Sequence, residues 1–308
     1  ASTLSIDKKI LLVSHMELGK EHSDQKSILK YCRENNIFSN KYEQVLLNAG
    51  LKPHSWNIKT PTESTFRSRS LLFFAAGIYI ANKISPQCQL IVPENGTISI
   101  NIPLDSGRRS SCSTRTTHPT FIKRIQEALY TIGISNSIYN PYRLKSKADM
   151  VLECCQDTSK KAILKSLVDL SCSCAKRGHN VFWDKSGIEI RNAKIKHCGM
   201  CLPCLYRRVA LDTIGLDNEA LLGTDVLHGI KFNLDNKHQK RNRDFNALLY
   251  FLKNRMNERT IRQELFFNGI IEKQELDEYT SLALHSYRQV INWLKKKATN
   301  EIQIRAGI

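Results

Sequence analysis

Cys198, Cys201 and Cys204 recur at every third position of HCGMCLPC, residues 197–204. Thiolates at that spacing, with Gly199 free to turn tightly after the first, can face one point and hold one ion. The chemistry this predicts is a tetrahedral structural zinc site with sulfur ligands at about 2.3 Å, which needs a fourth cysteine from elsewhere. The SCSC run at 171–174 offers two, Cys172 and Cys174. Two other readings compete: a helix carrying three buried thiols, and a redox C-x-x-C pair that leaves one cysteine without a role.

A second set of residues could bind anions or the edge of a ring. Ser14 and His15 follow an apolar run, FRSRS (66–70) opens a helical stretch, and PENG (93–96) and STRTTHP (113–119) follow apolar or loop segments. Arg69 and Arg115 could each hold a phosphate or carboxylate through a bidentate fork. Glu94 with Asn95 could read the edge of a base-like ring, or could make a turn before Gly96.

The elements that must carry these groups alternate. KILLVSH (9–15) is the short apolar run of a buried parallel strand, and a helix with Ser23 as its cap follows. KPHSWNIK (52–59) reads as extended, 62–84 as a helix, QLIVP (89–93) as a strand, and 119–132 as a helix with Pro119 in its first turn. Strand and helix in alternation predict an α/β fold, a doubly wound parallel sheet with helices on both faces. Ligands in such sheets sit beyond the carboxyl ends of the strands, which is where the polar clusters fall.

The chain carries 46 Lys and Arg against 29 Asp and Glu, a formal charge of +17 over 308 residues. That field suits polyanionic partners such as nucleotides, nucleic acid or acidic proteins. The densest basic run, KHQKRNR (237–243), lacks the aromatics of a single-strand stacking platform, so it speaks only weakly for nucleic acid. The longest apolar run, 71–81, falls short of the roughly 20 residues a membrane span needs, and no membrane association is expected. Ten cysteines, three of them packed between 198 and 204, suit a reducing compartment, so the reading is cytoplasmic.

Taken in order, FRSRSLLFFAAGIYIA, PENG, STRTTHPTFI, SKADMV and an SC followed by HCGMCLPCLYRR resemble the QueC-like family, the 7-cyano-7-deazaguanine synthases of the ATP pyrophosphatase superfamily. The PENG and STRTTHP forms are most similar to the QatC-like branch attached to Qat antiphage defence systems. The resemblance covers residues 9–211. It implies the adenine nucleotide alpha hydrolase (PP-loop) version of the sheet, ATP and Mg2+ as cosubstrate and counter-ion, and a structural Zn2+ on Cys172, Cys198, Cys201 and Cys204. It implies a catalytic role for Lys147 in SKADMV and for Arg115. Ser14, His15, Arg69, Glu94, Asn95 and Arg115 would bind substrate or nucleotide. The implied partners are ATP, a deazaguanine-type small molecule and other Qat proteins, a QatB-like one among them.

Members of that superfamily open on a strand and an S-G-G-x-D-S loop whose backbone N–H groups cradle pyrophosphate, and no SGG occurs in this sequence. The expectation is that this strand and loop precede residue 1. The organisation expected is a QueC-like domain over 1–211 with its zinc segment at 172–204. A helical extension over 212–308 would follow, with apolar stripes at Phe245, Leu248, Leu249 and Leu252 and at Leu282, Leu284, Val290, Ile291 and Leu294. Two functions fit: an ATP-dependent ligase that adenylates a carboxylate for attack by a nitrogen nucleophile, and a noncatalytic zinc-stabilised subunit of a defence complex binding protein or nucleic acid.

Overall fold

The computed structural model describes residues 9–15, 22–37, 41–47, 69–105, 116–177, 180, 183–228 and 243–308. The expected strand at 52–59, the start of the helix expected from residue 62, Arg115, and all of the basic run except Arg243 lie outside the described residues.

Strand β1 (Ile10–His15), helix α1 (His22–Glu34), strand β2 (Tyr42–Leu47) and helix α2 (Arg69–Ile84) open the chain. Strand β3 (Leu90–Ile91), helix α3 (Gly96–Ile100), helix α4 (Pro119–Thr131) and strand β4 (Ile138–Tyr139) follow. From there the described chain is helical: α5 (Lys147–Cys155), α6 (Thr158–Val168), α7 (Gly187–Asn192), α8 (Leu202–Asp212), α9 (Arg243–Asn254), α10 (Glu258–Phe267), α11 (Lys273–Lys297) and α12 (Asn300–Ala306).

The doubly wound parallel sheet of the adenine nucleotide alpha hydrolase type is not what the described residues form. β1 pairs in parallel with β2, and β3 pairs in parallel with β4, as two separate two-stranded sheets. The reason is local. β3 is only two residues long, and Pro93, two residues beyond it, has no N–H to give to a ladder. Its partner β4 ends at Tyr139, and the side-chain amide of the next residue, Asn140, donates to the Glu94 carbonyl at 2.8 Å, a bond made by a loop rather than by a further strand. What the apolar pattern suggested as a strand at 89–93 is thus a short bridge, while the strand at 42–47 had no clear alternation to reveal it.

Contacts divide the chain into two compact units, each interleaved in sequence. One comprises Ala1–Val92, Phe121–Tyr139 and Ala162–Ser171; in it α2 packs on β1 and β3, and Phe74 meets Phe121 edge-on at 5.8 Å. The other comprises Pro93–Thr120, Asn140–Lys161 and Cys172–Ile308, so the C-terminal helices belong with the cysteine segment rather than forming a body of their own.

The core of this second unit is built on α9 and α11. Phe245, Leu248, Phe251, Leu282, Val290 and Leu294 are all buried, at the helical spacing that the sequence shows, and Phe251 packs on Tyr287 with ring centroids 4.7 Å apart. α11, about 37 Å long at 1.5 Å per residue, packs against α3, α8, α10 and α12, and α5 lies on α8. No helix among the described residues is long and apolar enough to cross a membrane.

Candidate functional site

Four sulfurs converge in the second unit: those of Cys174, Cys198, Cys201 and Cys204, all within 4.8 Å of one another. Cys198 and Cys204 stand 3.8 Å apart, the edge expected of a tetrahedron with bonds of about 2.3 Å. The three triplet cysteines are buried. The sequence builds this locally. Gly199 sits at φ +80°, and the turn it allows lets the backbone N–H groups of Met200 and Cys201 both donate to the Cys198 sulfur at 3.3 Å. Pro203 then opens α8, which carries Cys204 on its first turn.

The fourth sulfur is that of Cys174 and not of Cys172, the ligand implied by resemblance. Cys174 accepts backbone N–H groups from Lys176 and Cys198, each at 3.3 Å, whereas the Cys172 thiol faces the Lys196 carbonyl at 3.6 Å. Both cysteines were within reach of the triplet in sequence, and only the backbone path settles which one turns inward. Sharing of protons inside the cluster holds Cys198 and Cys201 below the usual thiol range, chiefly through the Cys174 thiol, and raises Cys174 and Cys204. Four convergent sulfurs can hold a metal ion such as zinc. Accordingly Cys174→Ser should abolish metal retention while Cys172→Ser keeps it, read by metal content per chain after gel filtration.

The turn at Gly199 is also a close approach. A Cβ there would lie 2.2 Å from the Thr224 carbonyl oxygen, in addition to the cost of a left-handed φ. Gly199→Ala is therefore expected to destabilise the unit by more than about 1 kcal/mol, seen as a lowered midpoint in urea, while Gly215→Ala, in open space at a similar φ, costs less.

Beside the cluster lies a charged pair. Lys147 is the first residue of α5, which is launched by a capping box: Ser146 Oγ accepts from Asp149 N at 3.1 Å and Asp149 Oδ2 accepts from Ser146 N at 2.9 Å. Lys147 Nζ donates to Ser173 Oγ at 3.3 Å, next to Cys174. Burial lowers the affinity of Lys147 for its proton; the Glu94 charge opposes that, and the Arg207 charge adds to it. Burial likewise raises Glu94, opposed by Lys147 and by hydrogen bonds from Asn95. No contact ion pair joins Glu94 and Lys147 among the described residues; each acts on the other through its charge alone.

Sequence motifs far apart in the chain are joined here. Gly96 N donates to the Lys145 carbonyl at 2.8 Å, and a Cβ at Gly96 would lie 2.1 Å from the Arg143 carbonyl oxygen, which is why PENG ends in glycine. Ser99 and Thr117 hydroxyls meet at 3.0 Å, tying STRTTHP to α3. Asn95, however, is the N-cap of α3: its Oδ1 accepts from Ile98 N at 3.0 Å and its Nδ2 donates to Glu94 Oε1 at 2.7 Å. In this arrangement it orients Glu94.

Of the other residues named from sequence, Ser14 lies in the first unit on β1, with its hydroxyl 3.5 Å from Gln44 Nε2. His15 ends β1 and Arg69 begins α2, with side chains outside the described set, as is Arg115 entirely. The site thus brings together Glu94, Asn95, Lys147, Cys198, Cys201 and Cys204 with Cys174, the other candidate fourth ligand, and adds Ser173 and Arg207, which the sequence does not single out. Ser173 was legible only as a member of the SCSC run.

The second arginine of YRR has a structural task. Arg208 is buried, bonds Asp217 at 3.1 Å and Glu219 at 2.7 Å, and stacks 5.1 Å from the Trp293 ring centroid, fixing α8 to α11. Glu219, Asp225 and His228 form a second group of possible ligands, but Glu219 already answers Arg208, and Asp225 holds His228 Nδ1 at 2.9 Å. Comparison with family models, with curated proteins and with solved structures returned no match for this chain.

Proposed function

We propose that this chain belongs to a zinc-stabilised, ATP-dependent ligase of the QueC-like kind, acting in a QatC-like antiphage defence setting in the cytoplasm. The observation that carries the reading is the meeting of PENG, SKADMV and the cysteine segment at Glu94 and Lys147, beside the four-sulfur cluster. Those are the motifs on which the family resemblance rests, and they adjoin in space although more than a hundred residues separate the first from the last. Function is argued here from the site and not from the fold.

In this reading a carboxylate of a deazaguanine-type substrate attacks the α-phosphorus of ATP. Pyrophosphate leaves, and a nitrogen nucleophile, ammonia or a protein amine, then displaces AMP from the acyl carbon. Lys147 supplies a desolvated positive charge for the phosphoryl oxygens as charge develops on them. Glu94, oriented by Asn95, accepts N–H groups from the heterocycle's edge. By resemblance alone, Arg115 takes the carboxylate or nucleotide. Magnesium, when bound with ATP, would neutralise polyphosphate charge. Zinc held by Cys174, Cys198, Cys201 and Cys204 would fix α8 and the loop bearing Ser173. The test is carboxylate-dependent conversion of ATP to AMP and pyrophosphate by the full-length protein with its Qat-type partners; formation of ADP and phosphate instead would overturn it.

A second reading draws on the two short sheets: a noncatalytic zinc-stabilised subunit that binds a protein or nucleic-acid partner, in which Glu94 and Lys147 serve only to lock α3 and α5 together. On that reading no nucleotide is consumed under any condition.

A further inference from the structure

We infer that α11 is the positioning element of the Glu94–Lys147 site and that Gln289 is the residue through which it sets Lys147. The sequence offers α11 as an apolar stripe, yet a row of its polar residues faces the two site motifs. Gln289 Oε1 accepts from Ser146 Oγ at 2.7 Å, and Gln289 Nε2 donates to Asp149 Oδ1 at 2.8 Å. Together with the two bonds of the capping box these close a ring, so one amide from a distant helix holds both halves of the box that starts α5 at Lys147. His285 adds Nε2 to the same Asp149 oxygen at 2.9 Å. Burial alone would raise Asp149, and the bonds from His285, Ser146 and Gln289 outweigh it, so that the carboxyl is held below its usual range.

The same helix grips the other half of the site. Ser286 Oγ meets Thr97 Oγ1 at 2.7 Å, both buried, and the Leu282 side chain fills the space a Cβ on Gly96 would need. One turn beyond, Glu278 pairs with Arg143 at 3.1 Å. Residues 278, 282, 286 and 289 repeat at helical spacing along one face of α11. Ser286 and Gln289 are about 4.5 Å apart along the axis, and that fixed interval sets the gap between the α3 start, which Glu94 precedes by two residues, and the α5 start, which carries Lys147. A rigid helix is the element best able to hold two groups apart to a fraction of an ångström.

The inference rests on Lys147 being a site residue, and its test has one arm that does not need the proposed reaction. In the full-length protein, acylation of Lys147 by an amine-reactive ester is followed by peptide mass spectrometry, with exposed Lys161 as internal reference. Gln289→Met keeps the length and removes the hydrogen bonds to Ser146, Asp149 and His285, and should raise labelling of Lys147 about tenfold relative to Lys161. Gln289→Glu alone sets two carboxylates together and should do at least as much. The exchanged pair, Asp149→Asn with Gln289→Glu, restores donor to acceptor and should return labelling to the wild-type rate. Unchanged labelling in Gln289→Met, or an exchanged pair as reactive as the single variants, overturns the inference. In the second arm Gln289→Met lowers kcat for AMP formation with KM for ATP kept. Wild type that forms no AMP sinks the proposed reaction, while the labelling arm still decides the role of Gln289.

Discussion

Cys201→Ser is expected to strip the metal and melt the second unit, the largest effect any single substitution here should have. Wild-type protein should carry one zinc per chain, bound by Cys174, Cys198, Cys201 and Cys204. The core that includes Cys198, Cys201 and Cys204, with Cys174 packed against it, also includes Phe245, Leu248, Tyr287 and Leu294, so the cluster is part of the packing and not an appendage to it. Binding free energy at a structural zinc site of this kind is of the order of 10 kcal/mol and appears as folding free energy. That equals the whole margin of a typical domain, about 5–15 kcal/mol. The variant should therefore lose its cooperative thermal transition and become protease-sensitive across 172–308, as should wild type after exhaustive chelation. Metal analysis that finds no zinc in folded wild type would leave four convergent thiols and no centre.

Lys147→Ala is expected to reduce AMP formation by a hundredfold or more, roughly 3 kcal/mol of transition-state stabilisation, without loss of zinc. Alanine is a good residue for the first turn of α5, and the capping box is made by Ser146 and Asp149, so the helix should persist. The charge itself is what is removed, from a place where burial already lowers the lysine's hold on its proton and Glu94 supports it. Lys161→Ala, at an exposed position, should leave the rate unchanged. If Lys147→Ala matched wild type, the lysine would be a structural lock between α3 and α5, in keeping with the noncatalytic reading.

How much of this was legible in the sequence follows from what each residue's neighbours dictate. The triplet at 198–204 carries its own turn in Gly199, so three of four ligands could be read off the spacing. The choice between Cys174 and Cys172 depends on which sulfur meets the N–H groups of Lys176 and Cys198, and two residues in C-S-C do not encode that alone. Helices with strong apolar periodicity, α4, α9 and α11, lie where the pattern places them, and Pro119 does open α4. The sheet was misjudged because strand signals report apolar runs and not pairing: β3 and β4 extend for two residues each. The positioning role of α11 was hidden because Ser286 and Gln289 are ordinary helix-face residues until Thr97, Ser146 and Asp149 are brought to them from about a hundred residues or more away in sequence.

The most direct measurement of the central claim is isotope transfer. The full-length protein and its partners are given ATP and a deazaguanine-type carboxylate labelled in both carboxylate oxygens with the heavy isotope, and the AMP formed is examined by mass spectrometry. Adenylation joins a carboxylate oxygen to the α-phosphorus, and attack of nitrogen at the acyl carbon leaves that oxygen behind on AMP. The account predicts AMP carrying one heavy oxygen atom. AMP without the label, or nucleotide that leaves as ADP, would contradict it.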